Sequence, residues 1–237
     1  MRPADTWVDY ELIDATNHNR LERWGKTLLI RPDPQIIWKN EEVSPLWARA
    51  DAIYYRSAKG GGQWDYHKKL PQKWNIKWQD LTLIVSPTGF KHTGVFPEQA
   101  VNWAWYQEKI KAADRPCRWI VDDCAKFVQR EIRRGSRYDA VIMDPPSYGR
   151  GPNGEIWKLE DNVYDLITLT EQVLSDKPLF FAINSYTEGL SPAVMEYVLK
   201  TTLCPKVGGH TSCDEIGLPV TATGGVVPCG ATAVWEE

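Results

Sequence analysis

The segment 144–149, Asp-Pro-Pro-Ser-Tyr-Gly, combines residue types that suit a grip on a flat polar ligand. It directly follows the apolar run Ala140–Met143, which is typical of a buried strand. Ligands of open α/β sheets bind outside the carboxyl ends of the strands, where a carboxylate accepts hydrogen bonds and a tyrosine ring stacks on a base. The alternative is a tight turn in which the aspartate is only a cap. The candidate catalytic residues are Asp144, Pro145, Pro146, Ser147 and Tyr148.

Two other segments have residues that could face a ligand. In the run 90–99, Phe-Lys-His-Thr-Gly-Val-Phe-Pro-Glu-Gln, Gly94 permits a turn before a helix, although these residues alone favour a plain strand-to-helix connection. Asp122 and Asp123 follow the strand-like run 118–121. A carboxylate there could accept a hydrogen bond from an exocyclic amine such as that of adenine, and helix capping explains it equally well.

The stretch from Tyr54 to Trp78 is both basic and aromatic, with six lysine or arginine residues against one acid, Asp65. Positive charge interleaved with aromatic faces is suited to single-stranded RNA, whereas the alternative is an ordinary solvated face. The candidate RNA-binding residues are Arg56, Lys59, Lys68, Lys69 and Lys73.

Composition excludes several classes of protein. The net charge of −3 over 237 residues excludes a uniformly basic coat but allows a local basic face. No apolar run reaches the ~18 residues of a membrane span, and no secretory signal follows the first residues, so we expect a cytoplasmic protein. The five cysteines form no Cys-x-x-Cys pair and do not cluster with the four histidines, so we expect no metal site.

The elements that position these residues change in character near residue 88. Residues 1–88 predict a β-rich region, with strands at 26–31, 74–78 and 81–85. Residues 89–237 alternate strands with helices, which predicts a mostly parallel sheet with helices on both faces. We expect strands at 118–121, 138–143 and 178–183, helices beginning near 97, 123, 159 and 191, and a terminal hairpin at 216–227. The strand 138–143 is expected to be central.

Five segments together resemble those of class I S-adenosylmethionine (SAM)-dependent methyltransferases related to the large-subunit ribosomal RNA (cytosine-carbon-5) methyltransferases. The resemblance covers nearly the whole chain and lies at 90–99, 118–123, 138–148, 184–187 and 214–219. It implies an α/β, Rossmann-like core over 89–237 with a shortened sheet, SAM as cofactor and ribosomal RNA as partner. The region 1–88 would help to hold the RNA.

The resemblance also implies roles for individual residues. Thr93, Phe96 and Gln99 would line the cofactor pocket, and Asp123 would meet the adenine of SAM. The loop 144–148 would lie between the methyl donor and the target base.

One departure from the family concerns the chemistry. Carbon-5 members use a cysteine after the strand that ends near residue 183, where this chain has Asn184-Ser-Tyr-Thr187. A serine hydroxyl is a much weaker nucleophile at neutral pH, so we do not expect carbon-5 methylation through a covalent adduct. The loop at 144–148 resembles those that hold an exocyclic amine for nitrogen methylation.

A second departure concerns the cofactor. No glycine-rich turn follows a strand, and only eight residues, 111–118, separate Ile110 from Trp119, whereas one βαβ unit takes roughly 30 residues. The first SAM-binding section is therefore expected to be missing, and SAM is expected to bind weakly or not at all. The alternative function is an RNA-binding pseudo-methyltransferase or a truncated relic. A dinucleotide oxidoreductase is disfavoured because no G-x-G-x-x-G follows a strand.

Overall fold

The computed structural model describes residues 1–41, 43–57, 61–110, 120–151 and 154–237. The fold is mixed α/β and divides into two compact units. The first unit comprises residues 2–106 and 216–228, and the second comprises residues 1, 107–215 and 229–237. Packing therefore groups residues 89–106 with the amino-terminal strands. The functional division into 1–88 and 89–237 stays a prediction.

Short strands dominate the amino-terminal part of the chain. The bounds are β1 Arg2–Pro3, β2 Tyr10–Thr16, β3 Asn19–Trp24, β4 Thr27–Pro32, β5 Ala52–Arg56, β6 Gly62–Tyr66, β7 Trp74–Trp78 and β8 Leu81–Val85, with a 3₁₀ helix at Pro45–Arg49. One sheet has the order β2-β3-β4-β5-β6, and β7 pairs antiparallel with β8. The strands predicted at 26–31, 74–78 and 81–85 are present as β4, β7 and β8.

Strand β7 shows the alternation that its sequence predicts. Ile76 and Trp78 are fully buried and Trp74 is half-buried, while Asn75 and Lys77 face solvent. Successive side chains of a strand point to opposite faces, so the apolar residues at every second position define the buried side.

Aromatic side chains build much of the core of the first unit. Trp24 and Trp78 are fully buried. The rings of Tyr10 and Trp24 meet edge to face at 4.6 Å between centroids, and those of Trp78 and Trp103 do so at 5.4 Å. Edge-to-face contacts of this kind stabilise a core beyond the burial of apolar area.

From residue 97 onward, helices alternate with strands. Helices are present at each of the four predicted places, which confirms that part of the prediction. The bounds are a 3₁₀ turn at Pro97–Gln99, α1 Ala100–Ile110, α2 Cys124–Arg134, β9 Ala140–Met143, β10 Tyr148–Arg150, β11 Ile156–Lys158, α3 Leu159–Thr170, a 3₁₀ turn at Glu171–Val173, β12 Phe180–Ser185, α4 Pro192–Thr202, α5 Cys204–Val207, β13 His210–Pro219 and β14 Val226–Glu236.

The sheet that contains β12 is mixed rather than mostly parallel. Strand β12 pairs in parallel with β9 and antiparallel with β14, and β13 is the next neighbour of β14. The predicted terminal hairpin is present, but its strands β13 and β14 are longer than expected. The boundary between the two compact units falls within these two strands.

The prediction that strand 138–143 is central is wrong for the described part of the chain. Among the described strands, β9 pairs only with β12 and therefore ends the sheet. The strand expected at 118–121 is also corrected. Residues 118 and 119 lie outside the described residues, and Ile120 and Val121 are not in a strand. Val121 is fully exposed.

Helices α3 and α4 pack with the sheet to form the core of the second unit. Leu159, Val163 and Ile167 of α3 share a buried cluster with Phe181 and Ile183 of β12. Alternate residues of one strand thus face the apolar stripe of a helix.

Neighbouring surfaces decide which faces of α4 and α1 are buried. In α4 the buried side chains include Met195 and Leu199, whereas Val194 is exposed. In α1 the buried side chains include Asn102 and Tyr106. Neighbouring surfaces set the rotation of a helix, and hydrophobicity alone does not decide it. No helix in the described part of the chain is long and apolar enough to cross a membrane.

Candidate active site

A cavity of about 810 Å³ lies at the carboxyl end of β9 and beside α2 in the second unit. Phe127 and Val128 of α2 line it, as do Val141 and Met143 of β9 and Trp157 of β11. The walls are thus largely apolar, as is usual for a site that binds a small organic molecule.

Three carboxylates give this apolar cavity an acidic wall. Asp144 follows the last residue of β9, while Asp122 and Asp123 precede α2, and all three line the cavity. Partial burial raises the pKa of Asp144, because loss of water disfavours the charged form. A hydrogen bond from Arg130 lowers the pKa of Asp122. The structure therefore brings together two of the segments that the sequence singled out.

Asp123 caps helix α2, which is the structural alternative to a ligand contact. Its side chain accepts a hydrogen bond of 3.0 Å from the backbone N–H of Lys126 and so caps α2. The carboxylate also lines the cavity. A carboxylate has several acceptor positions, so capping leaves capacity for a second donor. The predicted adenine contact stays a prediction.

Trp157 anchors the loop after β9, and sequence reasoning missed it. Its indole N–H donates to the carbonyl of Pro146 at 2.7 Å, and the N–H of Leu159 donates to the carbonyl of Ser147 at 3.1 Å. Pairing of β10 with β11 completes the attachment. Trp157 lies 11 residues after Pro146 in the chain, so no local sequence pattern indicated their contact.

The end of the loop presents an aromatic ring. The hydroxyl of Tyr148 accepts a hydrogen bond of 2.9 Å from Nε of Arg150, and the ring is half-exposed. Asp144, Pro145 and Pro146 line the cavity, and Ser147 and Tyr148 continue from it into β10.

The last two residues of β12, Asn184 and Ser185, are buried and offer no exposed nucleophile. Ser185 is buried, and its hydroxyl accepts a hydrogen bond of 3.1 Å from the N–H of Thr187. The carboxamide oxygen of Asn184 accepts one of 2.7 Å from Thr232. The thiol of Cys124, by contrast, is exposed and lines the cavity at the start of α2.

The other three predicted cofactor residues belong to the first unit. Thr93 is fully buried, and its hydroxyl has no hydrogen-bond partner within the described residues. The ring of Phe96 lies 5.2 Å from that of His92, and Gln99 accepts a hydrogen bond of 2.8 Å from Asn102. Their predicted contact with a cofactor stays a prediction.

A buried ion pair holds the backbone next to Thr93. Arg31 donates to the carboxylate of Glu22 at 2.5 and 2.7 Å and to the carbonyl of Lys91 at 3.0 Å. Tyr10 donates to the same carboxylate at 2.7 Å. Burial opposes ionisation of Glu22, yet the charges of Arg31 and Arg20 outweigh it and lower its pKa to about 2. No local sequence pattern indicated this network.

The backbone of residues 88–91 is held at two further points. Tyr54 donates to the carbonyl of Gly89 at 3.3 Å, and the indole of Trp64 donates to the carbonyl of Thr88 at 2.8 Å. Burial, followed by nearby cations including Arg31, lowers the pKa of His92 to about 4. His92 is therefore neutral at neutral pH.

Three of the predicted RNA-binding lysines line a second cavity, of about 480 Å³, within the first unit. They are Lys68, Lys69 and Lys73, and the half-exposed ring of Tyr66 lines it with them. Arg56 is exposed at the end of β5 and is not part of this lining. Lys59 lies outside the described residues. No group of residues that could hold a metal ion occurs within the described ranges.

Similarity to solved structures is extensive. A SAM-dependent methyltransferase from Agrobacterium tumefaciens superimposes with a TM-score of 0.88 at 28% identity, over 97% of this chain and 91% of that one. A SAM-dependent methyltransferase from Streptococcus mutans gives a TM-score of 0.67 at 12% identity, over 98% of this chain and 76% of that one. SMU.776, solved with S-adenosylhomocysteine bound, gives 0.63 at 12% identity over the same shares. No protein-family model matches the sequence, and no curated protein does.

The Agrobacterium neighbour supports a methyltransferase that uses SAM, by resemblance. The two matches at 12% identity support the fold alone. The narrower prediction of a ribosomal RNA (cytosine-carbon-5) relative stays a prediction. The expected gap falls on residues 111–119, outside the described residues.

Proposed function

We propose that this protein transfers a methyl group from SAM to RNA, with ribosomal RNA as the substrate class. The observation that carries methyl transfer from SAM is the similarity to the Agrobacterium methyltransferase over 97% of the chain at 28% identity. RNA as the acceptor is supported by the resemblance of the five sequence segments and by the basic cavity of the first unit. The cavity at the carboxyl end of β9 supports it, since ligands of α/β sheets bind at such strand ends.

The residues of this cavity suit SAM. Its volume of about 810 Å³ lies within the ~300–1,000 Å³ range of small-molecule sites. Phe127 and Val128 offer apolar cover. Asp122 is paired with Arg130, so the carboxylates of Asp123 and Asp144 are the ones that favour a cationic ligand. Asp123 would accept from an exocyclic amine with the acceptor capacity that capping leaves. When bound, SAM supplies a methyl group on a positively charged sulfur.

Asp144 is placed to hold the acceptor. An amine of the target base would donate to its carboxylate, which fixes the direction of the nitrogen lone pair. Because burial raises the pKa of Asp144, the same oxygen is better able to take up the proton that a methylated amine releases. Tyr148 offers a ring on which a base can stack. The protein therefore contributes by positioning and by proton transfer.

A second candidate function is an RNA-binding pseudo-methyltransferase. It is favoured by the position of β9, which has one neighbouring strand among the described strands. It is also favoured by the sequence, which has no glycine-rich turn after a strand. A protein of this kind would keep the basic cavity and transfer no methyl group.

Transfer of a labelled methyl group from SAM to unmodified ribosomal RNA tests the proposal. Wild type is expected to label the RNA, and Asp144→Ala is expected to abolish labelling while circular dichroism stays native. Asp139→Ala is the matched control, because Asp139 is an exposed aspartate just before β9 and does not line the cavity. Labelling that is equal in all three proteins would exclude the role of Asp144. No labelling by wild type would favour the pseudo-methyltransferase.

A further inference from the structure

The basic cavity of the first unit is built on a firmly held turn. The backbone N–H groups of His67 and Lys68 both donate to the carbonyl of Asp51, at 2.9 and 3.3 Å. On another side, the N–H of Ser86 donates to the carbonyl of Thr93 at 3.0 Å. Pro71 and Pro87 add stiff, apolar wall. Two sides of the cavity are therefore held by backbone hydrogen bonds.

The three lysines of the cavity differ in their ion pairs. Lys68 pairs with Asp51 at 2.5 Å, so much of its charge is already balanced. In the part of the chain that the structure describes, Lys69 and Lys73 form no ion pair, and no acidic residue lines the cavity. Two uncompensated ammonium groups at one concave surface favour an anion.

Tyr66 adds a stacking face to this charge. The residue ends β6, where its backbone pairs with Ala52, and its ring is half-exposed at the cavity wall. A positively charged surface beside an exposed aromatic ring is the arrangement that binds single-stranded nucleic acid. In a duplex the faces of the bases are hidden by stacking, so the ring could not reach them.

The size of the cavity limits the ligand. About 480 Å³ lies toward the lower end of the range for small-molecule sites, which suits one nucleotide better than a folded element.

We propose that the cavity binds one unstacked nucleotide of single-stranded RNA. Its phosphate lies against Lys69 and Lys73, and its base stacks on Tyr66. The proposal rests on RNA being the acceptor, and it assigns Lys68 to the structure rather than to the RNA.

Fluorescence anisotropy with a labelled oligouridylate measures this directly. Tyr66→Ala is expected to weaken binding roughly 5- to 100-fold, the loss expected for one stacked base. Lys69→Gln and Lys73→Gln together are expected to flatten the dependence of log affinity on log salt by about 0.7 for the phosphate they share. A duplex RNA of equal length is expected to bind more weakly than the single strand.

Matched variants lie in the same unit. Tyr55→Ala removes a tyrosine that is as exposed as Tyr66 but does not line the cavity. Lys77→Gln removes an exposed lysine of β7 that does not line the cavity. Both variants are expected to keep the affinity and the salt slope of wild type. Circular dichroism of each variant checks the fold.

Three results would overturn the proposal: wild type that does not bind the oligouridylate, equal losses in Tyr66→Ala and Tyr55→Ala, or duplex binding as tight as that of the single strand. Methylation of ribosomal RNA is assayed separately. If wild type labels the RNA but the cavity variants bind the oligouridylate as wild type does, this subsite is refuted and the proposed function stands. If the cavity variants lose binding but wild type labels no RNA, the subsite stands and the proposed function is refuted.

Discussion

The hydroxyl of Tyr138 donates a hydrogen bond of 2.8 Å to the carboxylate of Glu131. Glu131 lies in the last turns of α2, and Tyr138 leads into β9. Arg134 binds the same carboxylate at 2.7 Å. Hydrogen bonds from Ser136, Tyr138 and Arg134 lower the pKa of Glu131 to about 2. Two walls of the Asp144 cavity are thus fixed to each other at the end remote from Asp144.

Tyr138→Phe should therefore lower both the thermal midpoint and the rate of methyl transfer, because α2 loses its attachment to β9. Tyr164→Phe, which removes the hydroxyl of an exposed tyrosine on α3, should leave both unchanged. Calorimetry and the labelling assay measure the two effects. In a double-mutant cycle with Glu131→Gln, the losses should be less than additive, since both changes break one bond. Full additivity would show that the bond does not couple the two walls.

The pH profile of methyl transfer should fall on the acid side as Asp144 becomes protonated. Its folded-state pKa is raised, so the carboxylate is lost at a higher pH than an ordinary aspartate would allow. Asp144→Asn should reduce the rate by about 100-fold or more and remove this acid limb. An acid limb that persists unchanged in the Asn variant would assign the titration to another group.

Calorimetry with SAM should give weak binding. The sequence has no glycine-rich turn to bring backbone N–H groups to the cofactor and no acidic residue after it to hold the ribose. Loss of several hydrogen bonds of ~0.5–1.5 kcal/mol each lowers affinity by orders of magnitude. Micromolar binding would show that another part of the chain supplies these contacts, and it would remove the pseudo-methyltransferase from consideration.

No covalent adduct should form with RNA that contains a fluorinated pyrimidine. Ser185 is buried, and no thiol stands in the segment after β12. Cys124→Ser should leave methyl transfer unchanged, because the exposed thiol at the start of α2 has no assigned part in it. Trapping of an adduct in wild type that disappears in the Cys124 variant would establish carbon-5 chemistry with a displaced nucleophile.

Acid should destabilise the first unit in two separate pH ranges. The folded-state pKa of His92 is about 4 against an ordinary 6.5, so stability is lost as pH falls between these values and the unfolded chain takes up the proton. The folded-state pKa of Glu22 is about 2 against 4.5, so its contribution is lost in that lower range. Urea unfolding at a series of pH values measures both. His92→Gln should remove only the upper range, and an unchanged upper range in that variant would contradict the assignment.

Local sequence predicted the individual elements well. Strands β7 and β8 and helix α3 occur where the periodicity of their apolar residues indicates, because a two- or 3.6-residue period is a property of neighbouring positions. The placement of Asp144 directly after a strand also followed from local pattern, since the apolar run 140–143 precedes it. Asp144 follows β9 and Asp123 precedes α2, and both carboxylates line the same cavity.

The sequence by itself determined strands β4, β7 and β8, the starts of the main helices, where the acidic loop begins and which stretch is basic. Only the tertiary structure decided that β9 ends the described sheet and that α1 buries Asn102. It also decided that Lys68 pairs with Asp51, while Lys69 and Lys73 have no ion pair within the described residues. The physical reason is that pairing, helix rotation and ion-pair partners depend on residues distant in the chain. Two strands, β5 and β6, separate Asp51 from Lys68 in the chain, so no local pattern indicates their contact.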